Sequence, residues 1–320
     1  MARRSVSPVV TGCWRGINIS NIEYNATPSA PYDNSNADYA YIARKGFNVV
    51  RLPFNWNYLQ PTENGSLDTA YRTKIDDNIG WAAANGLKII LDLHNYGRKS
   101  FSGVTHVLGD GTLTDAHVAD VWTKLSTLYK DNQTVLAYSL MNEPHDLTIQ
   151  SDSSNYKTTA TITTMTQACI NAIRANNDSK TIIIQRDWWD SQENFLQEWN
   201  IGTNPDVWWT DPLDNIWLEL HTYFETGITT TEQASEKLEE ICQWATAHSV
   251  QLIIGEYGVP KSKEYMLNRL EAYLRVMDTN NVHGCYWAMG GSQSNVDIGI
   301  HPGSNYDEDT VQMDILVKHI

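Results

Sequence analysis

Eight short apolar runs recur along the chain, each followed by a longer amphipathic or polar stretch. They are CWRGINI (13–19), FNVVRL (47–52), LKIILDL (87–93), TVLAYSLM (134–141), KTIIIQ (180–185), NIWLELH (215–221), VQLIIGE (250–256) and HGCYWAM (283–289). Each has strand length, is rich in Ile, Val, Leu and aromatics, and is close to continuous in hydrophobicity. That is the pattern of parallel strands buried on both faces. Between the runs, Ile75, Ile79, Trp81, Ala82 and Ala83 predict a helix over 69–86 that ends at Asn85-Gly86. Val118, Val121, Trp122, Leu125 and Leu128 predict another over 115–131. Residues 156–176, 231–248 and 263–279 read the same way, and 307–319 reads as a closing helix. Strands alternating with helices give a parallel sheet with right-handed crossovers. Eight such units in 320 residues are the arithmetic of an α/β chain folded as a (β/α)₈ TIM barrel, one domain over 1–320. No Pro- or Ser-rich linker divides it. An open doubly wound sheet is the alternative, but the Gly-rich G-x-G-x-x-G and Walker loops that accompany many such sheets are absent.

Charge narrows the partners. Lys and Arg number 23 against 38 Asp and Glu, a net charge of −15. Nucleic acid and anionic membranes would be repelled, so neither is expected as a partner. The aromatics are skewed, with 12 Trp and 16 Tyr against 5 Phe. Trp and Tyr pair a flat apolar face with a polar edge. That suits a ligand that is itself half apolar and half hydroxyl. No run approaches the roughly 18 apolar residues of a membrane span. The opening MARRSVSPVVTG has two arginines but no apolar stretch, so it does not read as a secretory leader. The expectation is a protein secreted in its native form with the leader lying outside this sequence, or else a cytoplasmic one. Cys13, Cys169, Cys242 and Cys285 lack the spacing of a zinc knuckle or redox motif and read as free, packed thiols. Cys13 and Cys285 would lie on neighbouring strands of a closed barrel, where a disulfide is feasible without being needed.

In such a barrel, functional side chains sit just past the C-terminal ends of the strands. Those positions hold Arg51, His94-Asn95, Asn142-Glu143, His221 with Tyr223, Glu256 and, within the last run, Trp287. Glu143 and Glu256 stand out, because ionised carboxylates are rarely left at the end of a buried strand without a partner or a task. Each alone could be a structural ion pair. As a pair they suit glycosidic bond cleavage, with one carboxyl as proton donor and the other as nucleophile. The donor would need a raised pKa; the nucleophile would need hydrogen-bond donors such as Arg51 and Tyr223 to stay ionised. The histidines show no H-x-H or H-E-x-x-H arrangement, so no metal site is expected, and no cofactor motif is present. A serine esterase is disfavoured by the lack of a G-x-S-x-G elbow.

The ordered set RLPFNW, LDLHNYG, SLMNEPH, LELHTYF, LIIGEYG and YWAMGG resembles the active-site motifs of glycoside hydrolase family 5. That family contains retaining enzymes on (β/α)₈ barrels, typified by endo-β-1,4-glucanases. The resemblance runs from about Gly16 to Trp287. Carried over residue by residue, it implies Glu143 as acid/base and Glu256 as nucleophile. It implies Asn142 on the sugar 2-hydroxyl, and Arg51 and Tyr223 holding Glu256. His94 and His221 would contact the sugar or the carboxylates, with Trp287 as the apolar floor of the cleaved unit. Tyr257 stands where the family often has Phe.

Trp56, Asn95, Tyr96 and Trp188, with Trp189, follow strand ends and are expected to rim the cleft as sugar contacts. For each aromatic, packing on the barrel shoulder is an equally good reading. The expected function is hydrolysis of internal β-1,4 bonds of a cellulose-like glucan by a monomer, without cofactor, the partner being a β-linked polysaccharide or oligosaccharide. Mannan, xyloglucan, mixed-linkage glucan or xylan are alternative substrates. A non-catalytic carbohydrate-binding barrel is the alternative of a different class, and transglycosylation by the same site is a third.

Overall fold

All eight runs form strands. The computed structural model describes residues 12–24, 33–147, 156–186, 188–193, 195, 209–224, 228–304 and 306–320. Among these residues ten strands follow in chain order: β1 (Arg15–Ile19), β2 (Val49–Phe54), β3 (Lys88–Leu93), β4 (Arg98–Phe101), β5 (Val104–Val107), β6 (Val135–Ser139), β7 (Thr181–Ile184), β8 (Ile216–Thr222), β9 (Gln251–Tyr257) and β10 (His283–Met289). Eight close into a barrel in the order β1-β10-β9-β8-β7-β6-β3-β2, while β4 and β5 form a separate two-stranded ribbon. Every barrel pairing is parallel. The helices described in full are α1 (Asn36–Arg44), α2 (Trp56–Leu59), α3 (Thr69–Ala84), α4 (Asp115–Tyr129), α5 (Tyr156–Ala175), α6 (Thr231–Ala247), α7 (Glu264–Thr279) and α8 (Val311–Leu316). This is the (β/α)₈ barrel that the alternation predicts.

Three local features differ from the sequence reading. Helix α1 is too short for a clear stripe; it is set by Asp38, whose Oδ2 accepts the Ser35 N–H at 2.8 Å. The antiparallel β4–β5 ribbon follows β3, with its chain reversal at Ser102-Gly103, both at positive φ. The closing helix is shorter than 307–319: α8 stops at Leu316 and a 3₁₀ turn, Val317–His319, follows. All four cysteines are free. No helix among the described residues is long and apolar enough to cross a membrane.

Strand parity divides the barrel interior into layers. Side chains two residues apart share a face of a strand. Trp14, Val49, Ile90, Leu136, Ala137, Ile183, Ile253 and Cys285 form one buried apolar cluster, with Trp217 against it. The larger apolar cluster, which includes Trp122, Leu125, Ile170, Leu238 and Leu270, joins strands to the surrounding helices. Two positions beyond the inner cluster the residue types change: Val49 gives way to Arg51, Ile90 to Asp92, Ala137 to Ser139, Ile183 to Gln185 and Trp217 to Glu219. An apolar floor thus supports a polar layer.

Candidate active site

Arg51 is the hub of that layer. Its guanidinium lies 3.1 Å from Asp92, 2.9 Å from Glu219 and 3.2 Å from Glu256. It also donates to Asn18 Oδ1 at 2.9 Å and Asn142 Oδ1 at 2.6 Å. All these partners are buried. Ser139 Oγ donates to Glu219 at 2.7 Å, and the Gln185 amide donates to the same carboxylate. Burial alone would raise the Glu219 carboxyl, but Arg51 and His221 outweigh it and bring it down to about 2. A buried cation surrounded by paired, hydrogen-bonded anions satisfies the condition under which ions tolerate an interior.

Glu143, His221 and Glu256 meet above this layer. His221 Nδ1 donates to Glu143 Oε1 at 2.9 Å and lies 3.6 Å from Glu256 Oε2, while Nε2 lies 3.3 Å from Glu219 Oε1. Burial alone would lower the His221 pKa; the surrounding Glu256, Glu143 and Glu219 carboxylates hold it well above the usual range, so it is cationic at neutral pH. The Tyr223 hydroxyl donates to Glu256 Oε2 at 2.6 Å. Burial, with nearby Glu143, raises the Glu256 carboxyl above its usual range, against His221, Arg51 and His94, which favour the ionised form. One ligating atom from each of Glu143, His221 and Glu256 falls within 4.8 Å of the others, so an oxygen of one carboxylate lies within that distance of an oxygen of the other.

That spacing could bridge a divalent cation, but the donor chemistry does not fit one. Arg51 already contacts Glu256, and both nitrogens of His221 face carboxylates. A further cation would stand close to the buried Arg51 guanidinium.

The remaining expected residues separate into two groups. His94 Nδ1 donates to Asp92 Oδ2 at 2.8 Å, and its ring stacks on half-buried Trp287 at 5.3 Å and 12°. The Trp287–Ala288 peptide is cis. Asn142 Nδ2 lies 3.3 Å from His94 Nε2, and the Tyr96 hydroxyl lies 3.0 Å from that nitrogen. Arg51, His94, Asn142, Glu143, His221, Tyr223, Glu256 and Trp287, with Tyr96 at the edge, therefore form one connected cluster. Trp56 and Asn95 make their contacts outside this cluster. Trp56 is fully buried, its indole N–H donating to Gln60 at 2.9 Å and its ring lying 4.8 Å from Lys99 Nζ. Asn95 is spent on the backbone: Oδ1 accepts the Trp56 N–H at 2.6 Å and Nδ2 donates to the Arg98 carbonyl at 3.2 Å. The Trp188 side chain lies outside the described residues, whereas Trp189 is 44% exposed and stacks on His145 at 3.4 Å.

The sequence reading missed Asp92, Glu219, Asn18, Ser139, Gln185 and Asp190. Asp92 and Glu219 each stand two residues before a strand-end histidine, on the same strand face. A charged residue inside an otherwise apolar strand was the available signal.

Residues 8–293 match the protein family described as Cellulase (glycosyl hydrolase family 5). The chain is similar to the manganese dependent endoglucanase Eg5A of Phanerodontia chrysosporium, with 24% identity over 324 residues, 95% of this chain and 79% of that protein. It is similar to endoglucanase 1 of Saitozyma flava, 26% identical over 264 residues, 78% of this chain and 70% of that one. Among solved structures, XacCel5A in complex with cellopentaose superposes with a TM-score of 0.83 at 26% identity, covering 97% of this chain and 99% of that one. Pseudomonas stutzeri endoglucanase Cel5A in complex with cellobiose gives 0.81 at 26%, covering 95% and 91%. The family match runs through all eight barrel strands and takes in both glutamates at the barrel mouth, and the chain belongs to glycosyl hydrolase family 5.

Proposed function

We propose that this glycoside hydrolase is an endo-acting β-1,4-glucanase that cleaves internal bonds of cellulose-like chains with retention of configuration. The observation that carries the mechanism is the approach of a Glu143 carboxylate oxygen to within 4.8 Å of a Glu256 carboxylate oxygen. Retaining enzymes hold their carboxyl groups about 5–5.5 Å apart, and inverting enzymes need about 6.5–9.5 Å to admit a water molecule between them. The substrate reading is supported by relatives named as endoglucanases and by structural neighbours whose complexes contain cellopentaose or cellobiose.

In this reading Glu256 attacks the anomeric carbon. Arg51 and the Tyr223 hydroxyl aim its carboxylate and favour its ionised form, and these contacts weaken as the negative charge is consumed in the new bond to the anomeric carbon. Glu143 gives a proton to the leaving oxygen and then takes one from the water that releases the sugar. His221 contacts Glu143 and lies near Glu256, so its cationic ring steadies whichever carboxylate is charged at each stage. His94 and Asn142 face the sugar hydroxyls, Trp287 lies under the ring, and Tyr96 borders it. The barrel strands and closing helix act as one catalytic domain.

A reducing-sugar assay over cellulose derivatives, mixed-linkage glucan, xyloglucan, mannan and xylan, with product lengths recorded, tests this. Highest turnover on β-1,4-glucan with a spread of oligomers early in the reaction supports it. Release of one short product only, or preference for mannan or xylan, overturns the endo-glucanase reading.

A further inference from the structure

The backbone ladder between β3 and β6 continues past the strands as far as Asn142, whose N–H donates to the Leu93 carbonyl at 2.8 Å. The next amide belongs to Glu143, which sits at φ 43°, a left-handed conformation that residues with a Cβ adopt reluctantly. That amide donates to Asp190 Oδ2 at 2.9 Å. The other oxygen of Asp190 accepts the Arg186 N–H, just past β7, at 2.7 Å. Asp190 is 1% exposed, and its carboxyl group ties the turn after β6 to the turn after β7. Asp190 ends a short 3₁₀ turn, Trp188–Asp190, which grips the acid/base loop twice more: the Trp189 N–H donates to the Pro144 carbonyl at 3.3 Å, and the Trp189 ring stacks on His145. Ser191, the next residue, forms a parallel bridge with His221, the residue that binds the Glu143 carboxylate. One short segment therefore holds Glu143 at its amide and supports the group that holds its carboxylate.

We propose that Asp190 is a positioning residue for the acid/base, setting through the Glu143 amide where the Glu143 carboxyl meets the leaving oxygen. It touches neither sugar nor nucleophile. The inference rests on the glucanase reading above, and it adds a specific consequence. A carboxyl displaced by about 1 Å loses on the order of 10²-fold in rate, and the loss falls only on steps in which that carboxyl transfers a proton. Asp190→Asn puts an amide N–H₂ against one of two backbone N–H groups, so one bond is replaced by a contact between donors. Asp190→Ala removes both bonds.

The experiment measures kcat/KM, which reports the first chemical step, for aryl β-cellobiosides with leaving groups from very acidic to weakly acidic. A dinitrophenyl 2-deoxy-2-fluoro-β-cellobioside, whose leaving group needs no proton, measures trapping of the nucleophile. Both variants should trap within a few-fold of the wild-type rate. Both should lose about 10²-fold on the weakest leaving groups, with a steeper leaving-group dependence. Equal loss across the series, no loss anywhere, or failure of both variants to be trapped overturns the proposal, the last by making Asp190 a residue of the fold alone. Failure of the wild-type enzyme to be trapped would instead overturn the glucanase reading.

Discussion

Gly255, the residue before the proposed nucleophile, is where the polar layer tolerates least. A Cβ added there would stand 1.6 Å from Glu219 Oε1, 2.5 Å from its Cδ and 2.7 Å from its Cγ. A flexible carboxylate would swing aside at little cost, but this one is held. Arg51 lies 2.9 Å away, Ser139 Oγ 2.7 Å and His221 3.3 Å, and the Gln185 amide closes the remaining side. Gly255→Ala must therefore break the buried Arg51–Glu219 pair or push Glu256 outward. Breaking a buried ion pair by disturbing one partner costs about 3–5 kcal/mol. Unfolding entropy near 2.1 cal/mol/K per residue gives roughly 0.7 kcal/mol/K for 320 residues, so the melting temperature should fall by about 4–8 °C. Turnover should fall with it, because His221 and Glu256 share the disturbed contacts. Thermal unfolding and kcat on a cello-oligosaccharide measure both effects. A double-mutant cycle isolates the cause: on a Glu219→Ala background, which removes the obstructing carboxylate, Gly255→Ala should cost little more. A Gly255→Ala enzyme that melts within about 1 °C of wild type at full turnover would refute the picture of a fixed Glu219.

Four further outcomes follow from the geometry. Glu256→Gln should lower kcat by on the order of 10⁴-fold or more while substrate binding, measured by calorimetry, stays near wild type; wild-type turnover would remove it as nucleophile. Glu143→Gln should leave the first step fast for dinitrophenyl glycosides and slow it by about 10²–10⁴-fold for poor leaving groups; equal loss on both would exclude the acid role. Far from the cleft, His283 accepts the Trp14 N–H on Nδ1 at 2.8 Å, and burial, aided by Arg15, lowers its pKa to about 4. The folded state thus favours the neutral ring, so this stabilisation is present above about pH 6.5 and lost as pH falls toward 4. His283→Gln should melt less steeply than wild type across that window, and parallel curves would contradict the assignment. Chelation by EDTA should leave turnover unchanged, because Arg51 and His221 already supply the positive charge at the carboxylates; loss of activity restored by added manganese would contradict this.

The barrel was legible because its strands are buried on both faces and so appear as unbroken apolar runs. Chemistry was legible where it lies at or just past the ends of those runs, as at His221, Glu256 and Glu143. Inside the runs it was hidden: Asp92 and Glu219 read as interruptions of apolar strands, although their parity aligns them with His94 and His221. The rim aromatics were ambiguous for a related reason. Trp56 opens a helical turn that β4 covers through Lys99, so it packs inward, whereas Trp189 remains exposed. Loop aromatics of the same type reach opposite ends because the β4–β5 ribbon, which decides the matter for Trp56, is too short to announce itself. Asp190 gave no local signal, since its role depends on two backbone amides, one of them 47 residues away.

The central claim is that Glu143 and Glu256 act together in a double displacement. Following the anomeric protons by NMR during the first minutes of cello-oligosaccharide cleavage tests it most directly. The account predicts that the β-anomer of the new reducing end appears first and then mutarotates. First appearance of the α-anomer would show inversion and contradict it.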